Sequence, residues 1–123
     1  MAEVKEDWGI IGDGHGGDWG RQITLLKSEA VTDLARDYNL DIKPGEMAEN
    51  ILTRDLDLNL IPLGARLKLG EGVILQVTQV GKEDHPSVVI RRFGRSLLPR
   101  QGLFTRVEKG GTIRPDDAIE WLV

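Results

Sequence analysis

The chain has 123 residues, a net charge of −4 and no cysteine, which is the length of one domain spanning residues 1–123 with a real core. Its 40% hydrophobic and 29% charged content is ordinary for a soluble protein, its apolar runs are too short to span a bilayer, and its charged start, Met1–Asp7, lacks the apolar core of a secretion signal, so cytoplasmic residence without membrane contact is expected. The missing thiols exclude disulfides, thiolate metal sites and any cysteine nucleophile or persulfide, and the acidic balance speaks against a general nucleic-acid partner.

Residues 8–20 hold six glycines in thirteen positions and read as a loop whose backbone turns tightly or approaches something closely. A short strand follows over Arg21–Leu26, with Ile23 and Leu25 on one face. Ser28 is the expected N-cap of a helix over Glu29–Tyr38, where Val31, Leu34, Ala35 and Tyr38 recur at helical spacing. Lys43-Pro44-Gly45 is a turn and Met47–Leu52 a strand. Residues 55–60, Asp-Leu-Asp-Leu-Asn-Leu, alternate strictly and predict an extended, half-buried segment that ends at Pro62-Leu63-Gly64. A hairpin comes next, Ala65–Leu69 and Val73–Val80 around Gly70-Glu71-Gly72. Gly81–Ser87 is a polar loop, Val88–Ile90 a strand and Gly94–Gly102 irregular. Leu103–Glu108 forms a strand, Lys109-Gly110-Gly111 a turn, and Ala118–Val123 a closing strand. Short strands, glycine turns and one helix describe a mostly β chain, a small β-barrel with helical decoration.

Charge is unevenly spread. Lys82–Lys109 contains seven basic and three acidic residues, a local charge of +4 that leaves −8 for the rest. Such a basic block marks either a small-anion site or a solvated strand face. Asp13 and His15 in the glycine-rich loop, with Asp84 and His85, are the plausible imidazole and carboxylate metal ligands, although a loop-stabilising hydrogen bond is the commoner use of Asp-x-His. Trp8 and Trp19 flank the loop, where rim packing is the expected role and stacking on a planar ring the alternative. No nucleophile elbow, phosphate loop or dinucleotide fingerprint is present.

Four blocks of sequence stand in the order of one known family. They are Gly12–Gly17 followed by Arg21–Leu26; Pro44–Ile51 leading into Leu63–Glu71; Val77–Lys82; and Pro99–Val107 with Gly110-Gly111 and Ile113–Asp116. Together they resemble the MOSC domain, named for the C-terminal domain of molybdenum-cofactor sulfurases, in its small stand-alone bacterial form. The resemblance implies a barrel related to the pyruvate-kinase β-barrel domain and a first strand ahead of the glycine loop, for which few residues remain here. It also implies the pyranopterin molybdenum cofactor, or its tungsten analogue, as ligand.

In that family a Gly-Lys-x-Cys-His stretch supplies the thiol. Here Gly81-Lys82-Glu83-Asp84-His85 carries Asp84 in its place. A carboxylate forms no persulfide, but it is an acceptable oxygen ligand for a hard, high-valent metal, so Asp84 is the candidate molybdenum ligand. Arg21, Lys82, Arg100 and Arg106 match the family's basic positions and would hold the phosphate and other anionic groups, Arg106 and Arg21 foremost. Their structural alternative is pairing with Asp13, Glu49 or solvent. Asn50, beside Glu49, would hydrogen-bond the pterin or fix a turn. The expected role is a cofactor carrier or accessory domain serving molybdoenzymes or cofactor-biosynthesis proteins. The alternatives are a small enzyme using Asp84 and His85 as acid and base on an anionic substrate, or a degenerate protein-interaction domain.

Overall fold

A computed structural model describes residues 1–12, 17, 22–47, 49–80 and 102–122. Nine strands and one α-helix lie among them: β1 (Ala2–Lys5), β2 (Gly9–Ile10), β3 (Ile23–Lys27), α1 (Ser28–Asp37), β4 (Ile51–Thr53), β5 (Arg66–Leu69), β6 (Val73–Val80), β7 (Leu103–Lys109), β8 (Gly111–Ile113) and β9 (Ile119–Leu122). Six form a curled half-barrel in the order β4-β3-β7-β6-β5-β9, and β2-β1-β8 form a smaller sheet. Pairing is antiparallel throughout except between β3 and β4. The mostly β barrel expected from the sequence is the architecture found. No helix among the described residues is long and apolar enough to cross a membrane.

Period-two alternation builds two cores on opposite faces of the central strands. Ile23 and Leu25 of β3, Leu103 and Val107 of β7, and Val73, Leu75 and Val77 of β6 point into the curl with Leu67 and Leu69. Leu26 and Phe104 point outward, where Val31 and Leu34 of α1 and Met47 cover them. Burial on both faces explains why β3 is an apolar run rather than an alternating one.

The helix begins one residue earlier than its pattern suggests. Lys27, the last residue of β3, occupies the cap position without a side-chain cap bond, and Ser28 is the first helical residue. The strand runs directly into the helix, so Ser28 has no non-helical position from which to cap. At the other end Asn39 takes a left-handed φ of 52°. Leu40 N–H donates to Ala35 O (2.8 Å) and Asn39 N–H to Arg36 O (3.4 Å), the pair of bonds of a Schellman stop.

Three other expectations are corrected. Residues 55–60 are not extended: Asp57 Oδ1 accepts the Asn59 amide at 3.1 Å and caps a 3₁₀ turn over Leu58–Leu60, so local side-chain bonding overrides the alternation. Leu58 is buried in the core while Leu60 is 69% exposed. The strand expected over Met47–Leu52 shrinks to Ile51–Thr53, because Glu49 folds back on the preceding turn through Gly45 N–H (2.8 Å) and Met47 N–H (3.1 Å). Lys109–Gly111 is a kink rather than a reversing turn: the chain passes from β7 into β8 at Gly110 and so changes sheets. A Cβ at Gly110 would fall on the Val4 carbonyl oxygen, which fixes glycine there. The strand ahead of the glycine loop, implied by the family resemblance, is present as β1. The expected strand Val88–Ile90 lies outside the described residues, as does the loop 81–87.

Candidate functional site

Of the candidate residues, Arg106 and Asn50 fall within the described residues; Asp13, His15, Arg21, Lys82, Asp84, His85 and Arg100 lie outside them. The sheet nevertheless fixes where those segments attach. The chain leaves β6 at Val80, which pairs with Leu103 at the start of β7. It enters β3 through Gln22, whose amide donates to Thr105 O at 3.0 Å. β3 and β6 flank β7 and both run antiparallel to it, so the chain enters β3 from the Lys109 end of β7 and leaves β6 at its Leu103 end.

Arg106 projects from the outer face of β7 and is held by Asp7, whose Oδ1 accepts from its Nε. Asp7 sits in the β1–β2 turn with a φ of 55°, and its amide donates to Val107 O at 2.9 Å. Gln22 joins the two: its Nε2 donates to Asp7 Oδ1 (3.2 Å) and its Oε1 accepts the Val107 amide (2.9 Å). Gln22 is 1% exposed, so both ends of a buried amide are used. The hydrogen bond from Arg106, followed by that from Gln22, holds the Asp7 carboxyl below the usual aspartate range. Arg106 and Asp7 are both about half exposed. An ion pair so open to water is weak.

Asn50 is tied to β3 on both sides. Its Oδ1 accepts the Thr24 amide at 2.7 Å, and its own amide donates to Thr24 O at 3.0 Å. The adjoining Glu49, 7% exposed, uses both carboxylate oxygens on the backbone, as described above. Glu49 thus fixes the turn before β4, while Asn50 ties the chain to β3. Both residues also line a groove of about 1000 Å³ between β4 and the 113–119 segment. Trp8 is 42% exposed, with Lys5 Nζ 5.7 Å from its ring centre, a cation–π contact at the rim. No group of three or more His, Asp or Glu side chains among the described residues is placed to hold a metal ion.

Sequence reading singled out Arg106 but missed its partners. Asp7 lies 99 positions away in a stretch that carries no pattern of its own, and Gln22 stood in a matching block without a role attached. The donor chemistry fits a molybdenum or tungsten cofactor in part. A half-exposed guanidinium suits its phosphate, and Asp84 offers an oxygen donor, while the chain offers no sulfur.

The described fold recurs in solved structures. YiiM from Escherichia coli aligns over 99% of this chain and 62% of its own, at 20% identity and a TM-score of 0.74. YiiM from Geobacillus stearothermophilus aligns over 85% and 55%, at 20% identity and 0.68. The YuaD protein from Bacillus subtilis aligns over 97% and 84%, at 22% identity and 0.73. The chain thus spans about three-fifths of the length of the two YiiM proteins, and these likenesses concern the fold. No curated protein matches the chain. The pattern of the MOSC domain, a family associated with molybdenum-cofactor binding, matches residues 12–120. On that match across most of its length, the chain belongs to the MOSC domain family.

Proposed function

We propose that the chain binds the molybdenum cofactor, or its tungsten analogue, as a carrier or accessory domain in cofactor maturation and does not itself relay sulfur. The observation that carries this reading is the family membership combined with Asp84 at the family's thiol position in a chain without cysteine. A persulfide relay needs a thiolate; binding needs only donors for the cofactor's anionic groups and an acceptable metal ligand. Arg106, with Arg21, Lys82 and Arg100, would hold the phosphate, and Asp84 would offer the metal an oxygen. The bound cofactor would supply the metal-centred chemistry; this chain's part is to hold it and hand it on to a molybdoenzyme or a cofactor-biosynthesis protein.

Replacing Arg106 with alanine tests its part in holding the cofactor. Loss of a charge-assisted bond to phosphate should weaken cofactor retention roughly ten- to hundredfold, while the melting temperature changes little because the Asp7 pair is half exposed. Unchanged affinity with an intact fold would remove Arg106 from the site.

A further inference from the structure

We propose, resting on the cofactor reading above, that Gln79 is a second cofactor-binding side chain beside Arg106, donating to the same anionic group, and that a β-bulge at Thr78 places it there. Between β6 and β7, Val77 stands opposite Thr105 while Gln79 stands opposite Phe104, so Thr78 is one residue too many on β6. Its hydroxyl donates to Phe104 O at 3.2 Å and ties the extra residue down.

The bulge shows in the apolar pattern of the strand. Val73, Leu75 and Val77 alternate into the curl, where all three are buried. The next apolar residue is Val80, three positions on rather than two. Continued alternation would turn Gln79 into the curl and Val80 out of it. One extra residue exchanges the faces of everything that follows. Val80 then pairs with Leu103 of the inner core, and Gln79 with Phe104 on the outer side. Val80 stays 53% exposed, so burial of that side chain is not what the bulge achieves. Its effect is to bring a carboxamide out of the curl.

The face that receives it is the one that carries Arg106. Arg106 lies two residues beyond Phe104 on β7, on the same side, with Gln76 directly opposite. Gln79 is therefore the diagonal cross-strand neighbour of Arg106, at a separation of about 7–8 Å. Two long side chains at that spacing can converge on one phosphate-sized group, the guanidinium supplying charge and the carboxamide a neutral N–H donor. Gln79 is half-buried and stands two residues before Gly81, where the loop bearing Lys82 and Asp84 begins. Bulges recur beside functional sites because they re-aim a side chain there.

Retention of molybdenum cofactor by the purified full chain, read as co-eluting pterin over a concentration series, tests this. Gln79→Leu should bind about tenfold more weakly than the native chain, the loss of one hydrogen bond to a charged group. Gln79→Glu, nearly the same in shape, should bind more weakly still, because its carboxylate repels the anion. Thr78→Val removes the donor to Phe104 O and should lose about as much as Gln79→Leu, whereas Thr78→Ser should bind like the native chain. Thr78→Val combined with Gln79→Leu should be no weaker than Gln79→Leu alone, since Thr78 acts through Gln79. Fully additive losses would overturn the part given to Thr78. Weakened retention in Arg106→Ala with native-like retention in Gln79→Leu would overturn the proposal and leave the cofactor reading standing. Absence of retention by the native chain would overturn both.

Discussion

Gln22 holds together more of the molecule than its place in the sequence suggests. Its buried amide satisfies the Val107 N–H and steadies Asp7, which in turn holds Arg106. Replacing it with leucine leaves the Val107 N–H, in a residue only 2% exposed, without an acceptor, at a cost of about 1–3 kcal/mol. Urea unfolding of Gln22→Leu measures this, and an unchanged midpoint would contradict the network. Two carboxyls, one in this cluster and one in the first turn of α1, give a pH signature. Asp7 is held below its ordinary pKa by Arg106 and then Gln22, and Glu29 chiefly by the Asp55 amide, which donates to it at 2.8 Å. A depressed carboxyl adds stability that is complete above its ordinary pKa, about 3.9 for Asp and 4.3 for Glu, and that is lost as pH falls through the lower folded value. Asp7→Asn should therefore flatten the loss of stability below about pH 4, as read from denaturant midpoints in an acid series. An acid slope identical to that of the native chain would show that Asp7 is not depressed.

At the scale of elements, Gly110 is the hinge between the two sheets. Alanine there would drive its Cβ onto the Val4 carbonyl and force β1 away from β8. The expected cost is about 1–3 kcal/mol, typical of overpacking, with faster amide exchange in Ala2–Lys5; unchanged exchange would contradict the assignment. What the sequence revealed and what it concealed divide along the same physical line. The hairpin of β5 and β6 was legible because its alternation and its glycine turn agree, and the structure pairs Leu67 with Leu75 and Leu69 with Val73. The alternation over 55–60 was equally clean, but Asp57 bonds to its own backbone and coils the segment. Glu49 acts likewise on the turn before β4. Short polar side chains competing with a strand leave no mark on the hydrophobic period. β2 escaped notice because it is a two-residue edge strand inside the glycine-rich stretch, and β1 was expected only through the family resemblance, its partner β8 lying more than a hundred residues away.

At the scale of the whole molecule, the candidate site was legible as residue types, through the four family blocks and the basic segment 82–109. Its contacts were not, since Asp7 and Arg106 meet only after the chain has folded. The family assignment and the mostly β barrel agree with that reading. On the proposed reading, the missing thiol turns the chemistry from sulfur transfer toward cofactor holding. The most direct test is anaerobic incubation of the purified chain with molybdenum cofactor, followed by gel filtration and assay of co-eluting pterin and metal, with Asp84→Ala and Asp84→Cys alongside. Retention by the native chain, reduced in Asp84→Ala, is the predicted result. No retention by the native chain, with binding restored by Asp84→Cys, would contradict it and mark a family member whose cofactor site lapsed with its cysteine.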